Sequence, residues 1–365
     1  RRSEGGLYYP LAVYLLFLMG SERPVFYLVA VLALVVSDTL AALVGGSYGQ
    51  HPFQAEQDRK SLEGSGVFLL STFLGVHLPL LLMTDLDRAA CVLIGVQIAL
   101  LVTCFEAISQ RGNDNLIVPL GTYYLLLKLT DKPVDYLVFQ LLLELGCLGL
   151  TLFLFRRFRL FSFAGALGVS LVLYGAISLG GVPWGWPPFL VLLGYVLLRT
   201  LFGPRDRHDE HQVLAVFYVS LVPTVLLLLD NTFSTLVPLG PAWEADPLYH
   251  PFAASAAAQL AMLVYLEMVP AERKPARSAW MACLASSALA WIWVVPISLK
   301  GNPLAGGPAE VTLVPMLAPF LFHAVRLRRG TLPEGVGLVR LQALAAALPA
   351  TAASLWQLWE LGLFL

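Results

Sequence analysis

Residues 24–45 read PVFYLVAVLALVVSDTLAALVG. This apolar run holds one charged side chain, Asp38, and it is long enough to cross a bilayer as a helix, which takes about 20 residues. An ionisable group at membrane depth is costly, and it marks a functional position by default. The stretch therefore predicts a transmembrane helix that carries a functional carboxylate.

Apolar runs of this kind recur along the whole chain of 365 residues. Hydrophobic residues make up 58% of it and charged residues 13%, whereas about a quarter of the residues are charged in a typical soluble domain. Runs of this length favour helices over the short alternating strands of a membrane barrel. We therefore predict an all-α, polytopic integral membrane protein with about 12–13 transmembrane helices, at 7–20, 24–45, 66–83, 88–108, 116–129, 134–155, 161–180, 187–202, 212–229, 249–269, 279–299, 312–325 and 336–363.

The charged residues predict an orientation. If the N-terminus is cytoplasmic, most of the 23 lysines and arginines fall on the cytoplasmic side, as the positive-inside rule expects. The connection at 46–65 then faces the cytoplasm. The net charge of −1 gives no reason to expect a nucleic acid as a partner. The four cysteines are spread through apolar spans without a C-x-x-C pair, which indicates neither a disulfide framework nor a thiolate metal site.

Residues 37–49, SDTLAALVGGSYG, continue from Asp38 into a segment of small side chains. On a helix these give a smooth face that another helix or a ligand can approach closely. Gly45, Gly46 and Gly49 free the chain to turn and to expose amide groups, which is how loops hold phosphates. The alternative interpretation is a helix-packing face followed by a flexible loop.

Residues 59–65, RKSLEGS, bring two cations, two hydroxyls, a carboxylate and a glycine to the start of the next span. Lys60, with the nearby hydroxyls and backbone amides, can hold a polyphosphate. Glu63 can complete a magnesium shell together with water and phosphate oxygens. The alternative is an ordinary polar helix start. The candidate phosphate-binding residues in this segment are Ser61, Gly64 and Ser65.

A third polar segment, CFEAISQRGNDNLIVPL, covers residues 104–120. Glu106 lies near the end of one predicted span, and Asp114 and Asn115 open the next. All three fall on the same predicted face as Lys60. The alternative interpretation is a solvated turn with a capping aspartate. Three such segments on one face favour a shared site.

The quoted segments, together with YYPLAVYLLF at 8–17, resemble the CTP-dependent lipid kinases. This family includes phytol kinase, dolichol kinase and the CTP-dependent diacylglycerol kinase, and it is similar to phosphatidate cytidylyltransferases. Order and spacing match over about residues 5–155, with phytol kinase-like members the most similar. The stretches that carry the resemblance are 8–17, 37–49, KSLEGS at 60–65 and DNLIVPL at 114–120.

The resemblance implies a phosphotransferase that uses CTP or another nucleoside triphosphate, with Mg²⁺, on the hydroxyl of a long-chain prenoid alcohol such as phytol or a polyprenol. Taken with the residue chemistry above, it assigns three sets of residues. The catalytic set is Asp38, Lys60, Glu106 and Asp114; the nucleotide-binding set is Gly45, Gly46, Gly49, Ser61, Gly64, Ser65 and Asn115; the metal ligands are Asp38 and Glu63.

The sequence departs from the family pattern in two places. Ser37 precedes Asp38 where the family commonly has glycine, which exchanges one small residue for another. A basic, histidine-containing segment that usually precedes the YYP region is not found, and we expect this to reflect a truncated start.

The basic connector at 156–162 predicts a boundary between a catalytic membrane domain, 1–155, and a C-terminal membrane domain, 156–365. The second resembles the phytyl phosphate kinase family through residues 180–199 and 209–216. The acidic signature of that family is expected near 255–269, where Glu267 alone remains. The resemblance therefore implies a non-catalytic C-terminal domain.

Two other functions fit the sequence. A cytidylyltransferase acting on a lipid phosphate would use the same polar groups. A transporter is suggested by the number of spans, the proline-broken helices and the buried carboxylates. For a kinase, the active site is expected on the cytoplasmic face, with the lipid entering laterally. We expect a bacterial cell membrane, with a plastid membrane as the alternative.

Overall fold

The computed structural model describes residues 5–20, 22–55, 58–202, 213–236, 246–269, 280–301, 308–329 and 336–360. Its contacts divide the chain into two compact units, 1–171 and 172–365. Of residues 209–216, one of the two stretches that resemble the phytyl phosphate kinase family, residues 209–212 lie outside the described residues.

The first unit is built of helices and one small hairpin. A π-helical turn at Ala33–Ser37 joins α2 (Pro24–Leu32) to α3 (Asp38–Tyr48), so that Pro24–Tyr48 runs as one apolar helix. The elements are α1 (Gly5–Gly20), α2 (Pro24–Leu32), α3 (Asp38–Tyr48), β1 (Pro52–Ala55), β2 (Asp58–Ser61), α4 (Leu62–Met83), α5 (Arg88–Ile108), α6 (Asp114–Leu129), α7 (Val134–Phe158) and α8 (Phe163–Gly180), the last of which continues past the division.

Helix α5 is the centre of the first unit. It packs against α4, α6 and α7, and most of its side chains are buried. The apolar core around it draws residues from six other helices, including Leu16, Phe26, Phe68, Leu126 and Leu137. This packing holds the end of α5, where Glu106 lies, in a fixed place.

The second unit contains helices only, within its described residues. Its elements are α9 (Val182–Phe202), α10 (Val213–Leu236), α11 (Tyr249–Met268), α12 (Trp280–Gly301), α13 (Pro308–Arg329) and α14 (Val336–Glu360). Helix α11 is the most buried and packs against each of the other five. Its alanine-rich sequence gives it a thin surface, which lets the neighbouring helices approach closely.

The predicted all-α, polytopic membrane architecture is confirmed. Among the described residues, nine helices are long and apolar enough to cross a membrane. Two further apolar stretches are shorter, α1 (Gly5–Gly20) and the first part of α12 (Trp280–Ile292). The predicted spans at 116–129 and 312–325 are helical too, within α6 and α13.

Candidate functional site

Asp38 begins α3, directly after the π-helical turn. A π-helical turn adds a residue to a helix turn, which changes the direction of the side chains that follow, and such turns occur often at functional sites. Ser37, the last residue of the turn, is buried. Asp38 itself is half-buried and meets the carboxylates of two other helices.

The three carboxylates of Asp38, Glu106 and Asp114 converge. Each offers an oxygen atom, and these oxygens all lie within 4.8 Å of one another. The side chains come from the start of α3, the end of α5 and the start of α6. Segments separated by up to 76 positions in the chain therefore form one acidic group.

Lys60 of β2 reaches into this group. Its ammonium nitrogen lies 2.7 Å from Oε1 of Glu106 and 3.8 Å from Oδ2 of Asp114. The same nitrogen donates to the backbone carbonyl of Glu106. The Lys60 and Glu106 side chains are both largely buried. The structure thus brings together all four residues predicted to be catalytic.

The charge and donor set of this group suit a divalent cation. With all four side chains ionised, three carboxylates and one ammonium leave a formal excess of two negative charges. Oε2 of Glu106 is buried and has no hydrogen-bond partner among the described residues. Carboxylate oxygens are the ligands that Mg²⁺ prefers. Asp38, Glu106 and Asp114 are therefore residues that could hold a divalent cation.

The predicted glycine loop is largely helix. Gly45 and Gly46 lie inside α3, which continues to Tyr48, so their amide groups belong to a helix and not to a turn. A Cβ atom on Gly45 would lie 2.9 Å from Ser61 Oγ, and one on Gly49 would lie 2.9 Å from Ser61 Cβ. These two glycines serve close packing against the segment that opens α4. Gly46 has open space beside it.

The start of α4 packs against α3 through a third glycine. A Cβ atom on Gly64 would lie 3.0 Å from the carbonyl oxygen of Ala41. Ser61 caps α4, because its Oγ accepts a hydrogen bond from the Gly64 amide at 3.2 Å, a common helix-starting contact. Ser65 Oγ is buried without a partner among the described residues. Nucleotide binding by these residues stays a prediction.

Glu63, predicted to bind the metal, has another partner. Its Oε1 lies 2.6 Å from His51 Nδ1, and both of its oxygens accept from the His51 backbone amide at 3.2 Å. The group of three carboxylates found among the described residues does not include it. The structure therefore places Glu106 and Asp114 where Glu63 was expected, and a metal-binding role for Glu63 stays a prediction.

The connection between α5 and α6 is a tight turn. Arg111 and Gly112 have positive φ, at 53° and 85°, and Asn113 Oδ1 accepts from the Gln110 amide at 2.7 Å. Oδ1 of Asp114 accepts a hydrogen bond from the backbone amide of Asn115 at 3.0 Å. Asn115 thus opens α6 beside the carboxylates, and its predicted contact with the nucleotide stays a prediction.

Asp58 is not among the site residues that the sequence predicts. Its Oδ2 accepts a hydrogen bond from the Arg111 amide at 2.7 Å, which ties β2 to the turn that precedes Asp114. The signal was present, since Asp58 lies two positions before Lys60 in a polar segment. The strand pairing that gives the two residues a common direction was not predicted.

In the second unit, Glu267 has a structural partner. Its Oε1 lies 3.0 Å from Nη1 of Arg199, and both side chains are buried. Arg326 donates to the backbone carbonyl of Val269 at 2.8 Å. Among the described residues, the group of three potential metal ligands that the structure holds lies in the first unit.

The chain is similar to a protein with a known activity. It is 36% identical over 126 residues to the phytol kinase of Synechocystis sp., in a match that covers 33% of this chain and 53% of the relative. The chain thus spans about half the length of the curated relative that it matches. No family model and no solved structure matches it. A third of this membrane protein is therefore a phytol kinase-like segment.

Proposed function

We propose that this protein is a lipid kinase that transfers the terminal phosphoryl group of CTP, or of another nucleoside triphosphate, to the hydroxyl of a long-chain prenoid alcohol such as phytol or a polyprenol. The observation that carries the proposal is the group formed by three carboxylates and Lys60. The similarity to a phytol kinase supports it.

Phosphoryl transfer depends mainly on positioning and on neutralising charge around the phosphates. Asp38, Glu106 and Asp114 would hold Mg²⁺, which when bound supplies positive charge to the phosphate oxygens. Lys60 is already held at this place by Glu106 and Asp114. It can turn from them to the terminal phosphate, where its ammonium offsets charge on the transferred group.

The lipid hydroxyl attacks the terminal phosphorus atom. The new bond joins the hydroxyl oxygen to phosphorus, the bond to the bridging oxygen breaks, and the nucleoside diphosphate leaves. One of the three carboxylates accepts the hydroxyl proton, a role that general bases of this type perform. Asp114, at the start of α6, and Glu106 are the residues that we assign to orienting or deprotonating the hydroxyl.

The assignment places catalysis in residues 1–155 and a non-catalytic role in residues 156–365. Within the described residues of the second unit, Glu267 forms a buried ion pair with Arg199, which suits a scaffold. We propose that the active site faces the cytoplasm, where nucleotide is present, and that the alcohol reaches it from the bilayer. A bacterial cell membrane is the proposed location.

The test is phosphate transfer by the purified full chain in nanodiscs. Protein is incubated with Mg²⁺ and CTP labelled at either the α or the γ phosphate, with phytol, polyprenols, diacylglycerol or a lipid phosphate as acceptors. Kinase activity moves the γ label to the lipid and releases CDP. Release of pyrophosphate, with the α label on a lipid phosphate acceptor, indicates a cytidylyltransferase. If no lipid makes the protein consume nucleotide, the proposal is wrong and a transporter becomes the better interpretation.

A further inference from the structure

The hairpin formed by β1 and β2 has a defined docking face. In the antiparallel pairing, Phe53 lies opposite Lys60 and Ala55 lies opposite Asp58. Residues directly opposite each other, and residues two apart on one strand, point to the same face of a sheet. These four side chains therefore share one face, while Gln54 and its partner Arg59 lie on the other and are exposed.

The docking face, formed by Phe53, Ala55, Asp58 and Lys60, contacts several parts of the first unit. The centroid of the Phe53 ring lies 4.9 Å from that of the Phe163 ring at the start of α8, in an edge-to-face arrangement. Ala55 is fully buried. Between these apolar contacts, the two charged residues of the face, Asp58 and Lys60, both point at the segment that runs from Glu106 to Asp114.

Asp58 and Lys60 hold that segment at two points. Asp58 accepts from the Arg111 amide at 2.7 Å, and Lys60 contacts Glu106 and Asp114. The Arg111 backbone is left-handed, at φ 53°, a conformation that costs energy for a residue other than glycine and persists where its surroundings hold it. The Asp58 carboxylate supplies one such restraint three positions before Asp114.

We infer that Asp58 is a positioning residue, whose hydrogen bond to the Arg111 amide helps to hold Asp114 in place beside Asp38 and Glu106. The inference rests on the proposed function of the three carboxylates as a metal site. Without this bond, the turn at 110–113 loses one of its two ties to β2, which lets Asp114 shift from the place where it meets Asp38 and Glu106. Partners that orient metal ligands from outside typically change metal affinity by about 10–100-fold when they are removed.

The experiment measures Mn²⁺ binding by the purified full chain, as a spectroscopic substitute for Mg²⁺. Asp58→Ala removes the acceptor, and we expect it to weaken Mn²⁺ binding by about tenfold. Asp58→Asn loses the charge but keeps an oxygen that accepts from the Arg111 amide, and it should restore most of the affinity. Gln54→Ala, on the exposed face of the same hairpin, is the matched control and should bind as wild type does. Thermal unfolding of each variant checks the fold.

Three outcomes decide the inference. If Asp58→Ala binds Mn²⁺ as tightly as wild type while Asp38→Asn does not bind it, the positioning role is wrong and the metal site stands. If Asp58→Asn is as weak as Asp58→Ala, the effect is one of charge and the hydrogen-bond mechanism is wrong. If Asp38→Asn also binds Mn²⁺ normally, the proposed function of the carboxylates fails first.

Discussion

The carboxylate of Asp38 lies in an otherwise apolar helix, and its neighbours explain its presence there. A half-buried carboxylate next to two others is unfavourable unless a cation offsets the repulsion and the loss of hydration. The oxygens of Asp38, Glu106 and Asp114 lie within 4.8 Å of one another, so Lys60 and a bound metal are natural partners. The proposed role of the Asp38 carboxylate in metal binding can therefore be tested directly by substitution.

Asp38→Asn should abolish phosphate transfer, because the amide keeps the size of the side chain but removes the negative charge that attracts the metal. The variant should still insert into membranes, since the neighbouring core around α5 is untouched. The measurement is the initial rate of alcohol phosphorylation, with the size-exclusion profile as a check on folding. Wild-type activity in a folded Asp38→Asn variant would falsify the assignment.

Lys60 is predicted to act on the nucleotide and not on the metal. Lys60→Ala should raise KM for the nucleotide and slow transfer, because it removes the ammonium that offsets phosphate charge. It should not weaken Mn²⁺ binding, since it also removes a cation that competes for Glu106 and Asp114. Arg156→Ala, exposed near the end of α7, is the control. If both variants lose the same activity, bulk positive charge is responsible and no specific site exists at Lys60.

At the scale of elements, the contact between α3 and α4 depends on which glycines face it. A Cβ atom on Gly64 would meet the Ala41 carbonyl oxygen at 3.0 Å and the Gly45 Cα at 3.2 Å, whereas one on Gly46 would meet nothing within 4 Å. Gly64 is therefore required for close packing, whereas Gly46 is not. The sequence pattern alone does not show which glycines lie in the contact.

Gly64→Ala should lower the thermal unfolding temperature, since forcing an extra methyl into a tight contact costs about 1–3 kcal/mol. Gly46→Ala should leave it unchanged or raise it, because alanine favours helix over glycine by about 1 kcal/mol. Unfolding in detergent, followed by circular dichroism, measures both. Destabilisation by Gly46→Ala and not by Gly64→Ala would mean that the packing described for α3 and α4 is wrong.

The helices are predictable from the sequence, and the hairpin is not. The apolar runs predicted the helices well, because a span of about 20 apolar residues has few other uses. The hairpin was not predicted, since each strand has four residues and is held by contacts with distant helices. The sequence places Asp38, Lys60, Glu106 and Asp114 on one face, but it predicts Glu63 as the metal-binding partner of Asp38, whereas the structure brings Glu106 and Asp114 to Asp38. Which carboxylates meet depends on how the helices pack, and the sequence does not show that packing.

At the scale of the whole molecule, the chain divides by its contacts between residues 171 and 172. The basic connector at 156–162 predicts a boundary after residue 155, where clustered arginines end α7. The first unit includes the start of α8, where Phe163 packs against Phe53 of the hairpin. A functional boundary at 155 stays a prediction, which variants in each unit can test.

The last prediction compares Asp114 with Glu267 in the full chain. Asp114→Ala should lower the transfer rate by at least about two orders of magnitude, the scale typical of a positioned acid-base or electrostatic group, without loss of folded protein. Glu267→Ala removes one partner of a buried ion pair with Arg199, and breaking such a pair costs about 3–5 kcal/mol of stability. It should therefore lower the unfolding temperature while the rate per folded molecule changes little. Initial rates in nanodiscs, divided by the folded fraction from size exclusion, separate the two effects. If folded Glu267→Ala is inactive and Asp114→Ala is active, catalysis belongs to the second unit. A loss of stability cannot explain the inactivity of a variant that remains folded.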